Sequence, residues 1–186
     1  MKRFGVLLML VVLFTGCTGK GQELDHVMAL RGAMLGAETI SFQAEVTADY
    51  GDALHEFSVE CQGDNRGDLR FEVIGPESIS GITGEFASGQ GKLTFDDVAL
   101  AFPLLADGQI SPVSGPWIFL KTLLGGYLTS CCQEGEYLRV TIDDSYADDA
   151  LQLDIWLDED EDPVRAEISF DGRRIVTMDI EDFEIS

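Results

Sequence analysis

Polar and apolar residues alternate along most of this chain. In "ISFQAEVTADY", residues 40–50, Ile40, Phe42, Ala44, Val46, Ala48 and Tyr50 share one face, while Ser41, Gln43, Glu45, Thr47 and Asp49 share the other. A period of two is that of a strand with one face covered, so a long half-buried strand is predicted there. Gly51-Asp52 supplies a turn, and "ALHEFSVECQ" resumes the pattern with Phe57, Val59 and Cys61 inward. After the turn cluster "GDNRGD", residues 63–68, the residues Leu69, Phe71 and Val73 alternate with Arg70 and Glu72. Shorter strand-like pieces follow at residues 79–87, 92–97 and 98–102. The pattern returns in "YLTSCCQ", "EYLRVTID", "LQLDIWLD", "VRAEISF" and "RRIVTMDIEDFEI", separated by "EGE", "DDSYADDA", "DEDEDP" and "FDGRR". Turns this closely spaced favour antiparallel neighbours over crossover helices.

Two segments break the alternation. "ELDHVMALRGAML", residues 23–35, places Leu24, Val27, Met28, Met34 and Leu35 at helical spacing, with Arg31 interrupting the stripe. "FPLLADGQISPVSGPWIFLKTLLGGYL", residues 102–128, holds three of the five prolines, and between Pro116 and Gly125 only Lys121 and Thr122 are polar. Pro116 and Gly125-Gly126 punctuate a short helix that is apolar on every side and therefore demands burial. Two helices are few for so wide a sheet, so the sheet is expected to curl around them as a half-barrel, in a mainly β (α+β) fold. The inserted helix has two readings. Its residues Trp117, Phe119, Leu120, Leu123 and Leu124 either line a lipid-sized cavity as a lid, or fill the half-barrel as a plug. Close packing favours the plug.

The first residues change the picture from a fold to a location. Met1, Lys2 and Arg3 precede "GVLLMLVVLF", residues 5–14, which is too short to span a bilayer and reads as an export signal. The junction Phe14-Thr15-Gly16-Cys17 resembles the bacterial lipobox, with Phe14 where Leu is usual. The resemblance implies that residues 1–16 are a cleaved lipoprotein signal peptide and that the Cys17 thiol receives a diacylglycerol. Residues 17–23 would then be the lipidated cysteine with a short tether, and residues 24–186 one domain. Such a protein is held by its acyl anchor at the extracytoplasmic face of the cell membrane.

Charge and candidate chemistry narrow the function further. The 186 residues carry a formal net charge of −22, and loss of Lys2 and Arg3 with the signal takes it to −24. So acidic a body excludes nucleic acid as partner and argues against lying flat on anionic lipid; the tether reads as a spacer. Beyond the anchor, Cys61, Cys131 and Cys132 remain, an odd number that leaves at least one thiol unpaired. A disulfide joining Cys61 to Cys131 or Cys132 requires their strands to be neighbours; buried free thiols are the alternative. Cys131 and Cys132, being adjacent, point to opposite faces of a strand. The acidic runs "DEDED" and "DDSYADD" read as solvated turns: counted from Asp158, an EF-hand would need Gly and Glu where Pro163 and Ser169 stand. There is no G-x-S-x-G, no phosphate loop, no H-E-x-x-H and no C-x-x-C, so neither an enzyme nor a cofactor is expected.

The order of these elements, with "IGPESISGITGEF" (74–86), the proline-flanked helix at 116–124, "IWLDEDEDPVRAEISFDGRR" (155–174) and "DIEDFEI", resembles the LolA/LolB-like superfamily. It is also similar to small Firmicutes lipoproteins of the germination lipoprotein type. The first resemblance implies a non-enzymatic lipoprotein whose curved antiparallel sheet holds an apolar or lipid ligand. The second implies instead an adaptor for a cell-wall hydrolase, an enzyme that remodels the spore cortex.

Overall fold

The computed structural model describes residues 19–186 other than 88–89, 96–97, 103–104, 107–108 and 148–149. Cys17 and the apolar run before it therefore lie outside the described residues. Helix α1 (Gly19–Gly36) leads into strands β1 (Ile40–Asp49), β2 (Leu54–Gly63), β3 (Leu69–Gly75), β4 (Thr83–Ala87), β5 (Gln90–Phe95) and β6 (Val98–Phe102). The short strands β7 (Leu105–Ala106) and β8 (Gln109–Ile110) precede helix α2 (Gly115–Gly125). Strands β9 (Tyr127–Glu134), β10 (Tyr137–Asp143), β11 (Gln152–Leu157), β12 (Pro163–Phe170) and β13 (Arg173–Ile185) follow.

Among the described residues one sheet of eleven strands forms, in the order β6-β5-β4-β3-β2-β1-β13-β12-β11-β10-β9, and β7 and β8 pair separately. Neighbours in the sheet are neighbours in sequence except at one seam, where β1 meets β13 with Ile40 opposite Ile185. The inward residues are those the alternation selects: Ile40, Phe42, Ala44, Val46 and Ala48 of β1, and Phe57, Val59 and Cys61 of β2, are all buried.

Laid flat, eleven strands would measure about 50 Å across, against about 10–12 Å for a helix. Yet α2 reaches both halves of the sheet. Phe86 of β4 stacks on Trp117 with ring centres 5.4 Å apart. A Cβ on Gly115 would sit 3.0 Å from Val176 of β13, and one on Gly126 would sit 2.6 Å from Ile142 of β10. The sheet is therefore curled around α2. Register shifts supply the bend: they occur at Ser41/Gln43, Ser58/Val59, Thr141/Ile142, Trp156/Leu157 and Ile168/Ser169, and an extra residue in one strand twists and kinks it. At the first of them Asp182 takes a left-handed backbone, φ 51°.

Three expectations are corrected. The piece at 79–87 becomes a strand only from Thr83, because residues 76–81 close a turn in which the Gly81 N–H donates to the Val73 carbonyl at 2.8 Å. In α1 the buried face is Val27, Leu30 and Met34, whereas Leu24, Met28 and Leu35 of the predicted stripe are 43%, 52% and 55% exposed. At about 100° per residue those three lie on a separate arc. The bridge from Cys61 to Cys131 or Cys132 does not form: all three thiols are free, and five strands stand between β2 and β9. At about 4.8 Å per strand that separation is far beyond a disulfide's reach. Burial, with Glu60 alongside, pushes the Cys61 thiol well up, so it stays a neutral apolar filler. In addition, α1 begins at Gly19, inside the stretch read as a tether.

Candidate functional site

The concave side of the sheet is where the sequence placed its candidate residues, and α2 decides what that space can hold. A 3-10 turn at Pro112–Ser114 delivers the chain to α2, with Pro116 in its first turn where a missing N–H costs nothing. The Gly126 N–H closes the helix on the Thr122 carbonyl at 2.8 Å. Gly126 has no room for a side chain, because a Cβ would also meet that carbonyl at 2.7 Å.

Phe119, Leu120 and Leu123 are fully buried against the sheet, and Trp117 and Leu124 nearly so. Phe119 meets Phe42 of β1 edge-on at 5.3 Å. Leu120 fills the space left by Gly63, where a Cβ would come within 2.3 Å of its Cδ2. The Trp117 Nε1–H donates to the Gly67 carbonyl at 2.9 Å, so the indole's one polar atom is satisfied. The five lid-or-plug residues thus come together on one short helix, all of them buried. Burial of such side chains contributes about 1.5–3 kcal/mol each.

Beside α2 a cleft of about 330 Å³ opens between the end of α1, the turn at 65–67 and the residues Asp144 and Leu151. Leu35, Ile118, Leu124 and Leu151 give it an apolar floor, and Lys121 and Arg66 stand at its rim. Lys121 lies over the Trp117 ring at 4.6 Å. Arg31 sits in the seam between the helices, its Nη2 donating to the Thr122 carbonyl at 3.4 Å and its buried Nε without a partner. Burial lowers the pKa of its guanidinium from its ordinary value. Among the described residues neither Arg31 nor Lys121 forms an ion pair, whereas Arg66 is held by Asp64 at 2.8 Å. Partial burial opposes the Asp64 charge, but the hydrogen bonds and charge of Arg66 and the Asp68 N–H outweigh it, holding that carboxyl below its ordinary value.

The outer face of the sheet has two characters. Over β10–β13, Trp156 lies between Arg139 and Arg165, at 5.2 and 5.8 Å, and Asp154 accepts from Thr141 at 2.6 Å. Arg165 and Arg174 both reach Glu167 at 2.9 Å, so the charges there are mutually satisfied. Over β2–β5 a shallow groove of about 500 Å³ carries Glu60, Arg70, Glu72, Glu85 and Lys92, joined only by a 3.4 Å contact between Arg70 and Glu85.

Sequence reasoning missed the cleft because Asn65, Arg66, Asp144 and Leu151 come from distant turns. The signal present was the pair of cations, Arg31 and Lys121, each interrupting an otherwise apolar helix stripe. His26 pairs with Glu161 on the surface, and His55 is exposed, so neither stands at this site. Among the described residues no cluster of His, Cys, Asp and Glu is arranged to hold a metal ion.

No protein-family model matches the sequence, and no curated protein matches it. Solved structures align with it along most of its length. A LolA superfamily protein from Nitrosomonas europaea does so at 10% identity and a TM-score of 0.47, covering 88% of this chain and 93% of its own. The Mycobacterium tuberculosis lipoprotein LppX aligns at 14% identity and a TM-score of 0.44, covering 88% of this chain and 95% of its own. The structure of the CwlD amidase with the GerS lipoprotein from Clostridioides difficile aligns at 13% identity and a TM-score of 0.42, covering 91% of this chain and 96% of that one. At these identities and TM-scores no residue's role passes across.

Proposed function

We propose that this chain is a membrane-anchored, non-enzymatic envelope lipoprotein that acts by holding a protein partner rather than by carrying a lipid inside its half-barrel. The observation that carries this reading is the filled concave face: Phe119, Leu120 and Leu123 occupy, at no solvent exposure, the space an acyl chain would need. The LolA-like fold supplies the scaffold without the vacancy. The outer groove over β2–β5 is the surface we assign to the partner, because only Arg70 and Glu85 pair there, leaving Glu60, Glu72 and Lys92 without ion pairs among the described residues. The resemblance to germination lipoproteins makes a cell-wall hydrolase the first partner to test.

The experiment joins native mass spectrometry of the purified lipoprotein to co-precipitation with that enzyme. The expected result is a body with no bound lipid beyond its own anchor, whose complex is lost when Arg70→Glu and Lys92→Glu reverse the groove. A stoichiometric acyl ligand, or a complex indifferent to both reversals, would overturn the reading.

A further inference from the structure

We infer that the outward row of α1, with the cleft rim beside it, is the face this protein turns to the bilayer. The inference rests on the membrane anchor proposed above, which the lipobox resemblance places on Cys17. Cys17 and Gly19 are two positions apart, and an extended chain spans at most about 3.6 Å per residue, so α1 begins within about 7 Å of the anchored residue. That is about the depth of one headgroup layer. No spacer remains to hold the body away from the surface.

A helix that starts at the headgroups either stands up from them or lies along them. Leu24, Met28 and Leu35, each about half exposed, fall on an arc of about 40° and follow one side of α1 over about 16 Å. Standing up would leave the whole row in water. Lying down removes it from water and sets the apolar side of the helix at the boundary where interfacial helices rest.

Charge selects the same side. A body at −24 is repelled by anionic headgroups everywhere except where cations face outward without carboxylate partners. Lys121 is exposed across the cleft into which Leu35 opens, and Arg31, part-buried in the seam beside the α1 row, adds its charge behind that face. These two and Lys92 lack ion-pair partners among the described residues, whereas Arg66, Arg70, Arg139, Arg165, Arg173 and Arg174 are paired; Lys92 stands among Glu60, Glu72 and Glu85 in the outer groove. Asp144 lines the same cleft, so the face is mixed rather than basic. Apolar contact carries the docking and the two cations orient it.

The test uses the full lipoprotein with Cys131→Ser and Cys132→Ser, leaving Cys61 buried. A single new cysteine at Met28→Cys, Leu35→Cys or Glu85→Cys carries a fluorophore, in phosphatidylglycerol–phosphatidylcholine vesicles containing nitroxide-bearing lipid. Labels at 28 and 35 are expected to be quenched severalfold more than the label at 85 in the outer groove. Adding Arg31→Glu and Lys121→Glu is expected to reduce that quenching as the phosphatidylglycerol fraction rises. Equal quenching at 28 and 85, or none at 28, overturns the inference. The mass of the N-terminal peptide separates the two failures. An unmodified Cys17 removes the anchor and this orientation together, whereas an acylated Cys17 with an unquenched label at 28 removes the orientation alone.

Discussion

The two helices of this protein draw on the same kinds of residue and meet opposite fates. α2 is apolar around its circumference and buries nine of its eleven residues. α1 carries two apolar arcs, Val27, Leu30 and Met34 on one and Leu24, Met28 and Leu35 on the other, and buries only the first. Place in the sheet makes the difference. α2 lies inside the curl and packs on β10, β11, β12 and β13, while α1 lies over β9 at the sheet's edge and touches α2. A helix inside a curl meets side chains on several sides, but one at an edge has a single side to bury. Apolar character alone therefore does not say whether a helix belongs to the core or to something outside the body.

Substitutions can break this contrast. Phe119→Ala empties a fully buried position of α2 and should cost about 3–5 kcal/mol, read as a lower urea midpoint of the folded protein. An unchanged midpoint would mean that α2 is not part of the core. Trp117→Phe keeps the stacking on Phe86 but leaves the Gly67 carbonyl without its donor, which should cost about 1–3 kcal/mol by the same measurement. On α1 the combined change of Leu24, Met28 and Leu35 to Gln should move stability by only about 0.5 kcal/mol per site, since exposed positions release no packing. A large loss there would show that the outer arc of α1 is buried after all.

Much of the sheet was legible because strand alternation is a local property. Phe57, Val59 and Cys61 declare their face within a few residues, whatever the rest of the chain does. The ends of α2 were legible for the same reason, through Pro116 and Gly125. What alternation does not carry is the bend. "RRIVTMDIEDFEI" reads as one even strand, although the left-handed Asp182 within it shifts the register against β1. Those shifts accompany the curl of the sheet around α2. The buried arc of α1 was hidden for a related reason: it depends on which strand lies at the edge, and strand order is set by pairing between distant segments. The cysteine bridge failed on the same ground, since Cys61 and Cys131 each sit on a well-read strand but five others separate them.

The seam between β1 and β13 bears on how the body is made. Every other strand pair in the sheet joins sequence neighbours, so β1–β6 and β9–β13 can each zip up by short loop closures as their residues become available. The contact between Ile40 and Ile185 closes a loop containing nearly the whole domain, and it is required before the two meanders share a core. Until then the inner faces of both half-sheets, with Phe42 and Val176 among them, are open to water and to each other's copies. A fold completed by its most distant pairing delays compaction until the last strand is available.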